Sequence, residues 1–345
     1  MEKVLVAMSG GVDSSVAAWL AQQNGARCGG ITLRLWDNGT DDPIQDASAV
    51  AKRLGMDFHT LDAREEFKAN VVSDFIRCYE AGLTPNPCIQ CNKHLKFAYL
   101  LDKALELGYD AIATGHYARI RQDENTGRYL LYKALDEKKD QSYFLACLDQ
   151  RQLARARFPL GALTKEQVRL VAEQQQFINA KKKDSQDICF VPDGDYKAFM
   201  ERYTQKSYPC GSFLDLAGNV VGTHKGAVGY TLGQRKGLGL AMGAAVYVCA
   251  KDMAANTVTV GSEDRLFSPT LWADSWNWLP FETLNEPIRV MAKARSRHIP
   301  QPATAYPEEN GKVRVEFDEP QRAITPGQTV VLYDADMVVG SGTIL

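Results

Sequence analysis

Residues 9–15 read Ser-Gly-Gly-Val-Asp-Ser-Ser and stand between two stretches of different periodicity. Residues 3–8 carry a near-continuous apolar run, the pattern of a strand buried on both faces. Residues 12–23 place Val12, Val16, Trp19 and Leu20 at helical spacing. A strand, a glycine turn and a helix in immediate succession make a βα unit, which belongs in a parallel sheet covered by helices. The two glycines permit a tight turn and a close backbone approach. The small residues leave backbone N–H groups open to phosphate oxygens, and the helix start adds partial positive charge. The Ser14 and Ser15 hydroxyls are further donors. Asp13 is out of place beside a phosphate unless it orients the loop or works through Mg²⁺. Neither the Walker spacing, which ends in Gly-Lys-Ser/Thr, nor the three-glycine dinucleotide spacing is present.

Short strands and helices continue to alternate. Residues 28–35, 57–61 and 110–114 read as strands, and 46–54, 65–81 and 95–107 as helices. Residues 150–172 and 196–203 look helical and close the unit. From Pro209 onward glycine is frequent and helical periodicity scarce. Residues 211–218, 245–250, 257–260, 287–294, 312–317 and 329–333 fit short strands joined by Gly and Pro turns. The expected fold class is α/β, with three parts: a parallel-sheet nucleotide-binding domain over residues 1–205, a small β-rich central domain over 206–275, and a β-barrel-like domain over 276–345. No internal repeat or low-complexity segment is seen.

The chain has 345 residues and a formal net charge of -2, so a uniformly basic nucleic-acid coat is excluded. RNA binding then rests on local clusters: Arg289, Lys293, Arg295, Arg297 and His298; Lys181, Lys182 and Lys183; and Arg151, Arg155 and Arg157. Trp272, Trp276 and Trp278 are read as packing between the small β domains. The run 4–8 is far too short to span a bilayer and has no signal-peptide layout, so no membrane role and a cytoplasmic location are expected.

Eight cysteines in such a chain do not suggest a disulfide framework, and most read as small buried hydrophobes. Cys88, Cys91 and Cys189 stand in more suggestive surroundings. Cys88-Ile-Gln-Cys91 fits a turn with buried thiols, a redox pair or half of a metal site. Lys93, Lys96 and a helix start near Asn92 are placed to lower the pKa of Cys91. Structural zinc is disfavoured, because no fourth Cys or His ligand is apparent.

The residue 9–15 loop resembles the pyrophosphatase loop of ATP-cleaving amidotransferases, argininosuccinate synthetase and tRNA thiolases. Members of that superfamily split ATP between the α and β phosphates and adenylate an oxygen, after which a nucleophile displaces AMP. Residues 84–97 read TPNPCIQCNKHLKF, 113–118 ATGHYA, 184–190 DSQDICF and 222–237 GTHKGAVGYTLGQRKG. With the loop, this ordered set resembles the bacterial tRNA-specific 2-thiouridylases over essentially the whole chain.

The resemblance implies ATP with Mg²⁺ bound at Ala7, Met8, Ser9, Gly10, Gly11, Val12, Asp13, Ser14, Leu33 and Gly115. It implies adenylation of the 2-carbonyl oxygen of the wobble uridine, U34. A persulfide on Cys189 would supply sulfur, directly or after Cys91 attacks it, leaving a Cys91–Cys189 disulfide. Asn86, Pro87 and Cys88 would meet the target base. Similar sequences often have Asp at the Cys88 position, so the acid–base role of that carboxylate is in doubt here. Alternatively, Cys88, Cys91 and Cys189 would ligate three irons of a [4Fe-4S] cluster, as is proposed for related tRNA thiolases. His116, Lys139, Asp140, Gln141, Arg295, Ser296 and Gln328 would touch tRNA, expected to be the Lys, Glu and Gln isoacceptors. A cysteine desulfurase or sulfur-relay protein would load the sulfur. Two rival readings are an adenylating enzyme of a small metabolite and a tRNA-binding protein with a decayed centre. The paired cysteines count against the first, and the intact loop against the second.

Overall fold

The computed structural model describes residues 1–37, 42–180, 182 and 188–345. Lys181, Lys183 and residues 184–187 of the Cys189 motif lie outside the described residues. The first half is built on strands β1 (Lys3–Ala7), β2 (Arg27–Arg34), β3 (Phe58–Asp62) and β4 (Ala111–Ala113). A hairpin follows, β5 (Arg119–Gln122) and β6 (Tyr129–Tyr132), and then β7 (Ala156–Arg157). The main sheet runs β3-β2-β1-β4-β7, every pair parallel. Its two faces are read directly from β1. Val4 and Val6 join the core containing Val16, Val50 and Val168, while Leu5 joins the one containing Ile31, Leu100 and Ile112. The chain order reverses at β1, with β2 on one side and β4 on the other. Loops leaving the carboxyl ends of β1 and β4 therefore part, and a crevice opens between them.

The helix preceding the sheet's fourth strand begins earlier than its periodicity predicts. It runs Pro87–Gln90, continues as a π-helix over Cys91–Tyr99, and ends as Leu100–Glu106. Pro87 occupies the first turn behind an extended Asn86, where its missing N–H costs nothing. Cys91 thus lies in the second turn and not at a helix start near Asn92. The expected helix over 150–172 is two helices, Gln150–Arg155 and Lys165–Gln174, each opened by a capping box, with β7 and Pro159 between them.

The second half contains β8 (Gly211–Leu214), β9 (Val220–His224), β10 (Tyr247–Asp252) and β11 (Thr257–Gly261), a four-stranded sheet around Phe213, Val248 and Val258. Then come β12 (Phe267–Trp278), β13 (Ile288–Lys293), β14 (Gln301–Pro307), β15 (Val313–Arg322), β16 (Thr329–Asp334) and β17 (Met337–Ile344). They pair in the order β12-β15-β14-β13-β16-β17, and β17 returns to β12, closing a six-stranded antiparallel barrel. Closure leaves these six strands no free edge between them. Trp276 and Trp278 stack at 4.6 Å and 7°. An added Cβ on Gly342 or Gly340 of β17 would fall within 3 Å of one ring or the other. They pack within the barrel wall, not between domains as their sequence suggested.

The β5–β6 hairpin has no counterpart in the sequence reading. It extends the barrel's sheet through Met337 opposite Tyr132. Leu279, Val331, Tyr333 and Val338 of the barrel share a core with Leu5, Ile112 and Leu145 of the first half.

Candidate active site

The loop after β1 is held by its own side chains. Ser9 N–H donates to Ser14 Oγ at 3.1 Å, and the Ser14 and Ser15 hydroxyls both donate to Gly11 O, at 3.1 and 3.0 Å. Asn179, buried, donates to Gly10 O and Ser15 Oγ at 3.1 and 2.9 Å. The two serine hydroxyls are therefore spent on the loop instead of standing free for phosphate. Gly11 caps the helix without a side-chain acceptor, so the first-turn N–H groups keep their anion-binding capacity. Gly10 has φ +69, and a Cβ there would lie 2.3 Å from Pro43 O, so no other residue fits. At Gly115, after β4, a Cβ would lie 2.7 Å from Ser14 N. Glycine lets the two loops touch across the crevice.

Asp13 faces Lys165, whose Nζ donates to both carboxylate oxygens at 2.7 and 2.9 Å, and the Tyr117 hydroxyl adds a bond at 2.8 Å. Asp13 orients the loop against the helix beginning at Lys165. With both oxygens so engaged, Asp13 serves to fix the loop rather than to stand free as a metal ligand. Lys165, Tyr117 and Asn179 were not singled out from sequence. Lys165 and Asn179 come from more than 150 residues away, and only the fold brings them to the loop.

The crevice is a cavity of about 390 Å³. Ala7, Met8, Ser9, Asp13, Ser14 and Leu33 line it, with Gly115 from β4's loop. Gly10, Gly11 and Val12 do not line it; Gly10 lies under Pro43 and the Val12 side chain is in the core. Lys96, His116, Gln141 and Cys189 line it too. His116 has its Nδ1 2.7 Å from Thr114 Oγ1, and burial holds its pKa well below the ordinary histidine value, so it is neutral. Cys189 also borders a second, outer cavity with Trp36, Arg202 and Tyr203.

The three thiols differ. Cys88 and Cys189 are exposed and Cys91 is buried. Burial pushes the Cys91 thiol up, Lys96 opposes that, and Cys88 adds to it. Burial pushes Cys189 up to about 11, with Cys91 and then Cys88 raising it further and Lys96 opposing. All three thus feel one cation, Lys96, while Lys93 acts on Cys147 and His94 instead. The π register explains this: with i to i+5 bonding, Lys96 stands one turn beyond Cys91 on the same face. The expected help from Lys93 and from a helix start is absent. Among the described residues the three thiols do not form a ready-made three-ligand metal site, so holding an iron–sulfur cluster would require them to move closer together.

The residues expected to touch RNA fall in several places. Gln141 lines the crevice, and its Oε1 accepts from Tyr117 N–H at 2.9 Å. Asp140 holds its own turn by accepting from Ala134 and Ser142, with the half-buried Lys139 beside it. Gln328 of the barrel donates to Thr84 O at 2.8 Å and Pro85 O at 3.3 Å, just before Asn86 and Pro87. Arg295 is largely sequestered by Thr325 and Leu232 O, with half-buried Ser296 next to it. Arg289 pairs with Asp318, Arg151 with Asp102 and Arg157 with Glu2, so these three cations are compensated by neighbouring carboxylates.

Comparison with known proteins completes the picture. A family model described as the tRNA methyl transferase HUP domain matches residues 2–193. The PRC-barrel domain of tRNA methyl transferase matches 197–262, and an aminomethyltransferase beta-barrel domain matches 268–344. The tRNA-specific 2-thiouridylase MnmA of Acetivibrio thermocellus is 46% identical, covering 99% of this chain and 99% of that protein. Its namesake from Clostridioides difficile is 45% identical, covering 99% and 98%. That of Heliobacterium modesticaldum is 47% identical, covering 100% and 92%. With relatives of this identity running nearly the full length of both sequences, the chain belongs to the tRNA-specific 2-thiouridylase family.

Proposed function

We propose that this chain is an ATP-dependent tRNA-uridine 2-sulfurtransferase acting on the wobble uridine, U34. One observation carries the reading: a single crevice is lined both by the loop that leads into a helix start without a side-chain cap and by Cys189. Methyl transfer, named in the family description, has no use for a phosphate loop beside a set of thiols. Sulfur transfer to an adenylated carbonyl uses both.

In this mechanism ATP lies over Ser9 to Ser14, with its base against Leu33 and its α phosphate facing Gly115. Magnesium bound to the phosphates neutralises their charge. The uracil O2 attacks the α phosphorus and pyrophosphate leaves. The terminal sulfur of a Cys189 persulfide adds to C2 and AMP departs with the former O2. The Cys91 thiolate then attacks Cys189 Sγ, breaking the S–S bond to the transferred sulfur. The sulfur remains on C2 as 2-thiouridine, and Cys91 and Cys189 are joined as a disulfide. Alternatively, Cys91 attacks the persulfide first and frees sulfide, which adds to C2; the disulfide is the same. Lys96 offsets the negative charge on whichever sulfur is ionised. Asn86, Pro87 and Cys88 adjoin the base, and His116, Lys139 to Gln141, Arg295, Ser296 and Gln328 contact the tRNA. A cysteine desulfurase or relay protein loads Cys189 from the outer cavity, and the substrates are the Lys, Glu and Gln isoacceptors. No step passes through an iron–sulfur centre. Among the described residues no helix is long and apolar enough to cross a membrane.

Anaerobic incubation of metal-free protein with unmodified lysine tRNA, ATP, Mg²⁺ and a persulfide donor should yield 2-thiouridine by nucleoside mass spectrometry, with AMP in equal amount. No product with a desulfurase also supplied rejects the reading. Product only after cluster reconstitution rejects the disulfide step.

A further inference from the structure

We propose that Cys88 is a resolving thiol, which takes Cys91 from the Cys91–Cys189 disulfide and leaves Cys189 free for reloading. This rests on the sulfurtransferase reading above. Cys88 and Cys91 lie three residues apart across the Pro87–Gln90 turn. Helical geometry sets their Cα atoms roughly 5 Å apart, inside the range a disulfide spans. The backbone is adaptable there: Cys91 N–H is shared between Cys88 O and Pro87 O, where the helix passes from α to π register. Cys189 lies close enough for both other thiols to raise its pKa.

Exposure gives the exchange a direction. Cys91 is 7% exposed, so a disulfide sulfur there is shielded from a reductant in solution. Cys189 is exposed, but attack on its sulfur would leave the reductant attached to the atom that must carry the next persulfide. Cys88 is exposed and carries no sulfur cargo. In the exchange, the Cys88 thiol gives up its proton to water and its thiolate attacks Cys91 Sγ. The Cys91–Cys189 bond breaks, a Cys88–Cys91 bond forms, and Cys189 leaves as a thiolate. No net oxidation or reduction occurs. A dithiol reductant from solution then attacks at Cys88 and returns both thiols to the reduced state. Lys96, within electrostatic reach of all three sulfurs, offsets the negative charge as it passes from one to the next.

The test is a disulfide map of the full-length chain, equilibrated in a glutathione redox buffer without ATP or tRNA. Samples are acid-quenched, free thiols alkylated, and peptides assigned by mass spectrometry. The Cys88–Cys91 pair should exceed Cys91–Cys189 by about tenfold, with Cys189 alkylated, because neighbouring thiols on one turn have a high effective concentration. In Cys88→Ser the bond should move to Cys91–Cys189. A wild-type map dominated by Cys91–Cys189 with Cys88 alkylated overturns the proposal. So does a Cys88→Ser protein in which Cys91 and Cys189 never join. The same wild-type preparation is assayed for 2-thiouridine. Lack of that product counts against the sulfurtransferase reading, while the map alone decides whether Cys88 can resolve the bond.

Discussion

A Cys189 thiol pushed up to about 11 stays protonated through the neutral range. A protonated cysteine is slow to react with stray oxidants and electrophiles, which suits the sulfur-carrying role proposed for it. Lys96 is the cation that opposes the shift. Its removal should raise the pKa of Cys189 further. Iodoacetamide labelling of Cys189 should therefore accelerate about tenfold per pH unit from 7 to 10, following the thiolate fraction. In Lys96→Met it should be slower by about threefold or more at every pH in that range. Equal rates in the two proteins would remove Lys96 from the account. The residues proposed to carry this chemistry stand out in the sequence because they occur in short runs: a glycine loop, a CxxC and a Cys two residues beyond an Asp-Ser-Gln-Asp. The residues that hold them were not. Asp13 looked anomalous until Lys165 arrived opposite it, and nothing near Lys165 in sequence says which carboxylate it will meet.

The helical run from Pro87 to Glu106 places the thiols, and its leading loop is anchored from the barrel. Thr84 N–H donates to Pro326 O at 2.9 Å, and Gln328 donates to Thr84 O and Pro85 O. Asn92, in the π segment, donates to Phe144 O at 3.0 Å. Gln328→Ala should cost about 1 kcal/mol of stability, the net worth of such bonds. Its larger effect should be local: alkylation of the buried Cys91 should quicken about tenfold, since freeing the loop lets the first turn open. An unchanged Cys91 rate would mean that the Gln328 bonds do not anchor that turn. At this scale most strands and helices could be read from apolar spacing. The π register could not, since its pattern over nine residues resembles an ordinary helix. The β5–β6 hairpin escaped because strands of four residues give too little alternation to register.

The three-part division of the sequence describes local character better than independence. The middle sheet has its own core around Phe213, Val248 and Val258. The first part does not close alone, because Leu131, Tyr143 and Leu145 are covered by Val331, Tyr333 and Val338 of the barrel. Asn277 reaches Ala146 O and Leu148 O at 2.8 and 2.9 Å, and Ser341 reaches Ala146 O at 3.0 Å. A fragment of residues 1–205 should therefore expose a contiguous apolar face and aggregate, or melt without a cooperative transition, when examined by gel filtration and calorimetry. A monomeric fragment with a sharp transition would show that the shared core is dispensable. Composition located the change from α/β to β near Pro209, but no local pattern records which distant strands share a core.

The meeting of Met337 with Tyr132 also sets an order of events during synthesis. These partners are about two hundred residues apart, so the hairpin waits, with Leu131 and its neighbours uncovered, until β17 has left the ribosome. The loop proposed to bind phosphate is made well before the strand that completes its scaffold. A nascent chain halted before β17 is thus a client for chaperones and not an early-acting enzyme.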